Sequence, residues 1–248
     1  MNPGILNLHN HTPFSDGAYT IDEIVEAHLD LKEIKVAGVG ISDHLFCTPT
    51  SREVTNEREY QRIFAAEARN YVAEVRAARE RWGDKIRIYC GAEINWPKNK
   101  GMFKLIPDML EGIDYVLFEY VDWAGLTQLA NAARRFPCPI GLAHADVSRE
   151  YPKTPHDQIV RTLANARIFY EISSKFMPLN DFDPWYSVLP QHRVQVAIGT
   201  DTHDDLHCLR DIQPMHEFAV RKGLGDKFVA PGPRARGSAA TPTPAMSA

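Results

Sequence analysis

What the sequence lacks narrows the field first. Its four cysteines, Cys47, Cys90, Cys138 and Cys208, are scattered, and no two form a CxxC pair. That spacing offers neither a disulfide framework nor a structural zinc knot and fits reduced thiols in a cytoplasmic protein. No apolar run reaches membrane-spanning length, and the chain enters its first strand-like stretch almost at once, without a basic region leading into an apolar signal segment. The expectation is a soluble, cytoplasmic protein. An excess of one charge is also missing, since 28 Lys and Arg stand against 32 Asp and Glu. That balance provides no extended nucleic-acid surface and no membrane-binding patch, so an anionic substrate has to be attracted locally.

What is present is an alternation of short apolar, β-branched runs with longer amphipathic stretches, the pattern of repeated βα units around a parallel sheet. Seven runs read as strands: 5–11, 36–42, 86–93, 115–121, 140–144, 168–173 and 194–200. Between them, Thr20-Ile21-Asp22-Glu23 has the form of a capping box opening a first helix, with Ile24, Ala27 and Leu31 on one apolar face. A long helix is expected from Glu57 to Trp82, stopped by Gly83; its alternating Arg and Glu read as a solvated surface rather than a nucleic-acid face. Shorter helices are expected over 102–111, 126–136, 155–165, 184–189 and 215–222. A chain of 248 residues can bury a full core, and α/β barrels use this much chain as one unit. One barrel domain is therefore expected over residues 1–230. Residues 231–248, rich in Pro, Ala, Ser and Thr without apolar periodicity, read as a disordered tail.

The chemistry collects at the ends of these strands. In the stretch HNHTPFSDG, His9 and His11 stand at i and i+2, so on a strand both imidazoles leave one face and can converge on one ion. Asp201 and His203 in GTDTHDD repeat that spacing behind another apolar run. Between them lie Asp16 after strand one, Ser42-Asp43-His44 after strand two, Gly91-Ala92-Glu93 at the end of strand three and His144-Ala145-Asp146 after strand five. The carboxyl ends of barrel strands are where such enzymes build their sites.

HNH, SDH, GAE, HAD and DTH, in that order and behind successive strands, resemble the metal-binding motifs of the PHP (polymerase and histidinol phosphatase) family over roughly His9 to His203. The resemblance implies a distorted (β/α)7 TIM-like barrel that holds up to three divalent metal ions and hydrolyses phosphoesters. It implies that His9, His11, Glu93 and Asp201 hold a first ion, with His9, Glu93 and Asp201 at the catalytic centre. Glu93 bridges to a second ion that also takes His144, while Asp16, His44 and His203 match the ligands of a third. One position departs from the family: no histidine ends strand four, Asp114 to Asp122. Glu119 is the expected substitute, because a carboxylate within an apolar strand is costly unless it meets a cation, and Asp122 is the fallback.

Imidazole and carboxylate ligation without thiolates suits Mn, Zn or Fe, in two to three sites. Two such ions roughly 3.5–4 Å apart can hold a bridging hydroxide in line with phosphorus. The expected substrate is a small phosphorylated metabolite or nucleotide, including the histidinol phosphate type. The alternative is a weakly catalytic, metal-binding structural or regulatory PHP domain. Lys175 and Arg149 are the expected substrate-binding cations, ahead of Arg52 and Lys98. Asp43 and Asp146 are read as orienting the adjacent histidines or capping loops. His28, His156, His192, His207 and His216 are read as surface or structural, and Trp96 as packing or a pocket wall.

Overall fold

The computed structural model describes residues 4–47 and 56–232. All seven expected runs become strands: β1 (Ile5–Asn7), β2 (Val36–Ile41), β3 (Arg87–Asn95), β4 (Tyr115–Glu119), β5 (Ile140–Leu142), β6 (Ile168–Ser173) and β7 (Val196–Gly199). They are hydrogen-bonded in sequence order and every pair is parallel. The last meets the first where Leu8 N donates to the Ile198 carbonyl and His11 N to that of Thr202, each at 2.8 Å. The sheet is thereby a nearly closed barrel.

Alternation along the strands sorts side chains between two cores. Val116 and Phe118 on β4, and Ile168, Tyr170 and Ile172 on β6, face the helices and join the main core. Tyr115, Leu117, Phe169 and Ala197 face the barrel axis and pack into a small interior cluster with Leu8, Ala143 and Val229. That plug is apolar at the bottom. One further step of two along β3, β4 and β6 brings the same inward face to Glu93, Glu119 and Glu171.

The helices are α1 (Ile21–Leu29), α2 (Glu57–Trp82), α3 (Trp96–Asn99), α4 (Trp123–Ala132), α5 (Val147–Glu150), α6 (His156–Ala166), α7 (Trp185–Val188) and α8 (Ile212–Arg221). The capping box before α1 forms as expected, with Thr20 Oγ1 accepting from Glu23 N at 3.3 Å and Glu23 Oε2 accepting from Thr20 N at 2.8 Å. In α2, Tyr60, Phe64, Tyr71, Val75 and Ala78 face inward. Its ion pairs run to other elements, Arg79 to Asp114 and Arg81 to Asp22, rather than along its own surface.

Several expected boundaries move. β1 and β5 stop at Asn7 and Leu142 instead of continuing through their histidines; beyond Asn7 the pairing goes on as an isolated bridge between Asn10 and Thr202. α4 begins three residues earlier than expected because Asp122 caps it, its Oδ1 accepting from Gly125 N at 2.7 Å. Pro107 lies within the expected 102–111 helix, which forms only a 3-10 helix over Phe103–Met109. Of the expected tail, residues 233–248 lie outside the described residues, as does Arg52. Among the described residues no helix is long and apolar enough to cross a membrane, and none of the four cysteines forms a disulfide.

Candidate metal centre

Four of the five described non-glycine residues with positive φ lie at the barrel mouth, the fifth being Arg167 at the end of α6. Phe46 (φ 63°), Tyr120 (φ 55°), His144 (φ 28°) and Asp201 (φ 51°) follow the ends of β2, β4, β5 and β7, all with positive φ and none a glycine. Each such residue costs on the order of 1–3 kcal/mol, and that cost collects at sites where side chains must be aimed. At His144, which the alternation of Ile140 and Leu142 would leave on the helix-facing side, the positive φ accompanies a side chain turned over the barrel axis toward Glu93.

Around that axis the expected residues converge. His9, His11, Glu93 and Asp201, all buried, bring one ligating atom each within 4.8 Å of the others. His9 Nε2 lies 3.2 Å from Asp201 Oδ1 and 3.4 Å from Glu93 Oε2; His11 Nε2 lies 3.2 and 3.3 Å from the same two oxygens. A second group contains His11, Asp16, His44 and His203. There His203 Nε2 and His11 Nδ1 are each 3.4 Å from Asp16 Oδ1, and His44 Nε2 is 3.6 Å from Asp16 Oδ2. A third contains His44, Glu93 and Glu119, with His44 Nδ1 at 3.2 Å from Glu93 Oε2 and 3.7 Å from Glu119 Oε1. His144 approaches from the other side, its Nε2 3.0 Å from Glu93 Oε1. Glu93 is thus the carboxylate common to two groups, and His44 reaches both the second and the third.

The electrostatics of this arrangement suit a cation. Burial alone would push the His11 pKa down, but hydrogen bonds with Asp16, Asp201 and Glu93 raise it to about 10. His9 is likewise driven up against its burial by Glu171, Glu93 and Asp201. Burial would raise Glu93 and Asp201, yet the surrounding imidazoles hold both carboxyls well below the usual range. Glu119 goes the other way, raised by burial and by the neighbouring Glu93 charge. Both oxygens of Asp201, and Nδ1 of His44, are buried without a properly directed hydrogen bond. Lys175 Nζ sits against Asp201 Oδ2 as an ion pair. Buried carboxylate and imidazole atoms left without partners are costly. A divalent ion with oxygen and nitrogen ligands satisfies them, so the donor set fits Zn, Mn or Fe.

Other expected residues fall into place around the centre. Lys175 forms the wall between two clefts, one of about 410 Å³ reaching Asp201 and His203, the other of about 190 Å³ reaching His144 and Tyr120. Arg149, exposed on α5, lines the smaller cleft, whereas Lys98 is exposed on α3 and lines neither. Asp43 does not orient His44. It accepts from Thr12 N, Thr12 Oγ1 and Ser15 Oγ at 2.6–2.7 Å, fixing the loop that carries Asp16. Asp146 caps α5, accepting from Arg149 N at 3.1 Å. Asp122, the fallback ligand, is occupied as the α4 cap. Trp96 is buried edge-on against Phe103 and Phe118, as packing rather than a pocket wall. His28 is structural and fully buried; His156, His192 and His216 are partly buried, and His207 is exposed.

One residue of the site escaped the sequence reading. Glu171, on β6 and fully buried, places Oε1 2.7 Å from His9 Nδ1 and Oε2 2.6 Å from the His144 amide nitrogen. The signal was present: a lone acid inside the apolar run Ile-Phe-Tyr-Glu-Ile carries the same penalty that singled out Glu119.

Comparison with known proteins agrees with this geometry. Two solved structures share the fold. One is the histidinol phosphate phosphatase of Lactococcus lactis subsp. lactis Il1403, determined with zinc, L-histidinol and phosphate; it is 17% identical with a TM-score of 0.63, over 93% of this chain and 97% of that one. The other is a Listeria monocytogenes protein assigned as a histidinol phosphatase, 12% identical with a TM-score of 0.57, over 87% of this chain and 99% of that one. A search of curated proteins finds no match. The PHP domain family model matches residues 7–168, about two thirds of the chain. With that match, the barrel and the buried His, Glu and Asp clusters, the chain belongs to the PHP domain family and has its metal-dependent phosphoesterase fold.

Proposed function

We propose that this protein hydrolyses the phosphoester bond of a small phosphorylated metabolite or nucleotide, with two to three divalent ions held at the barrel mouth. The observation that carries the reading is the convergence of His9, His11, Glu93 and Asp201 on one buried point, with the two imidazole Nε2 atoms aimed at the same oxygens of Glu93 and Asp201. In this reading these four would hold the first ion, with His9, Glu93 and Asp201 as the catalytic centre; Glu93, His144 and Glu119 would hold a second, and Asp16, His44 and His203 a third. Glu119 lies within reach of Glu93 and His44 and accepts from Asn95 Nδ2 at 2.9 Å, which favours it as the strand-four ligand.

Bound ions would supply an activated water at neutral pH and neutralise charge on the transferred phosphoryl group. The protein's own part is positioning. Lys175, raised above the ordinary lysine pKa by Asp201 despite its burial, stays cationic and faces both clefts. With an ion held by Asp201, the Lys175 ammonium would be available to a phosphate oxygen, and Arg149 lines the smaller cleft from which it could meet the same substrate. The relative from Lactococcus lactis holds L-histidinol and phosphate, so histidinol phosphate belongs first in a substrate screen, followed by nucleotides. Four cysteines without a disulfide suit a reducing, cytoplasmic setting.

The test combines elemental analysis of the Zn- or Mn-loaded protein with phosphate release from a panel of monoesters and diesters. The expected result is two to three ions per chain, phosphate release abolished by chelation, and loss of activity in His9→Ala. Release that survives both chelation and His9→Ala would refute the mechanism. A fully loaded protein that cleaves nothing in the panel would favour the structural or regulatory reading.

A further inference from the structure

Behind the ligands, in the barrel interior, one carboxylate touches two of them from strands that are not neighbours. Glu171 Oε1 faces His9 Nδ1 at 2.7 Å, and Oε2 accepts from the His144 backbone N–H at 2.6 Å. On the opposite side of the same two rings stands Glu93. Its Oε2 lies 3.4 Å from His9 Nε2 and its Oε1 3.0 Å from His144 Nε2. The His9 and His144 rings are nearly parallel, 5.7 Å between centroids and 17° between planes. Two stacked imidazoles therefore face one carboxylate, Glu93, while a second, Glu171, holds the His9 ring from behind and the His144 backbone amide.

We propose that Glu171 is the positioning residue of the metal centre. Accepting from His9 Nδ1–H, it leaves Nε2 of that ring for an ion; accepting from the amide of His144, it holds the strained φ of 28° that aims that side chain at Glu93. The inference rests on His9 and His144 being ligands, as proposed above. Two further features point the same way. The carboxylate stands directly above the apolar plug formed by Phe169, Tyr115 and Leu117, and its described hydrogen bonds go to these two histidines. Opposite it stands Gly199, where any Cβ would press on the Glu171 carboxylate and lie 2.7 Å from His9 Cβ. The chain keeps that space open for the pair.

Glu171→Gln is the discriminating change, because an amide of the same shape has one acceptor oxygen and must turn its NH2 group toward one of the two donors. Zinc titration of the metal-free protein and proton NMR of the zinc-loaded protein are the readouts, with Glu93→Ala as the control and far-UV circular dichroism to establish folding. The expected result is zinc affinity weakened on the order of 10–100-fold in Glu171→Gln. The hydrogen-bonded His9 Nδ1 proton should also move upfield or vanish. Glu171→Asp, which keeps the charge but shortens the reach by one methylene, should weaken zinc as well and serves if the Gln variant does not fold. Wild-type affinity and an unmoved Nδ1 proton in these variants, with Glu93→Ala still losing zinc, would overturn the positioning role alone. Failure of the wild type to bind zinc would overturn the metal-centre reading together with it.

Discussion

His28→Gln tests how the barrel is tied together beneath the metal centre. His28 is fully buried on α1, where its Nδ1 faces the Ile24 carbonyl at 2.7 Å and its Nε2 faces Asn7 Nδ2 at 2.9 Å. The carbonyl can only accept and the amide nitrogen can only donate, so the ring is neutral, with its proton on Nδ1 and its Nε2 lone pair in use. Asn7 in turn donates to Thr200 Oγ1 at 2.8 Å, linking α1 through β1 to the residue before Asp201. Burial lowers the His28 pKa from 6.5 to about 4. The folded state then refuses a proton that the unfolded chain takes up, so the contribution is complete above about pH 6.5 and is lost as pH falls toward 4. At about 1.36 kcal/mol per pKa unit, the loss reaches roughly 3 kcal/mol. A glutamine supplies the same NH2 donor and carbonyl acceptor but does not titrate. Urea unfolding of metal-free wild type and His28→Gln across this range should give a stability difference that is level above about pH 7 and turns against the wild type by about 3 kcal/mol at pH 4. A difference that stays level throughout would refute a neutral, proton-excluding His28.

Two other perturbations follow from the geometry. Gly40→Ala puts a Cβ against the Tyr115 hydroxyl and 2.9 Å from Leu8 Cα, both immovable parts of the barrel plug, so urea midpoints should fall by the equivalent of about 1–3 kcal/mol. Lys175→Ala should raise KM for phosphorylated substrates several-fold while metal content stays unchanged; steady-state kinetics with unaltered KM would return Lys175 to a role confined to Asp201.

The strands, and the gathering of His, Glu and Asp at the barrel mouth, were legible because an apolar run buried on both faces reads the same whatever packs on it, and polar residues just beyond such runs collect at the strand ends. Glu119 was legible through its cost. Glu171 carried the same signal inside its own apolar run, but its partners were not legible, because no spacing along the chain announces contacts with His9 and His144 across the barrel. Asp43 and Asp146 took the loop-capping side of their two readings, and Asp122, the fallback, starts α4 instead of reaching the mouth. For Asp122 and Asp146 the partner is the amide of their own turn, while Asp43 holds Thr12 and Ser15 of the loop that carries Asp16.

The barrel also has to tolerate many acids at its mouth. Asp16, Glu93, Glu119, Asp201 and Glu171 crowd one end of the axis, four of them buried, and mutual repulsion in a poorly solvated space would open the sheet there. The chain answers with its own cations. His9, His11 and His144 are all raised against their burial by these carboxylates, and Lys175 is drawn onto Asp201. Imidazole and carboxylate thus offset one another at the mouth: the Nε2 atoms of His9 and His11 are aimed at the common oxygens of Glu93 and Asp201, and a cation bound there would have to offset the same carboxylate charge within the same few ångströms.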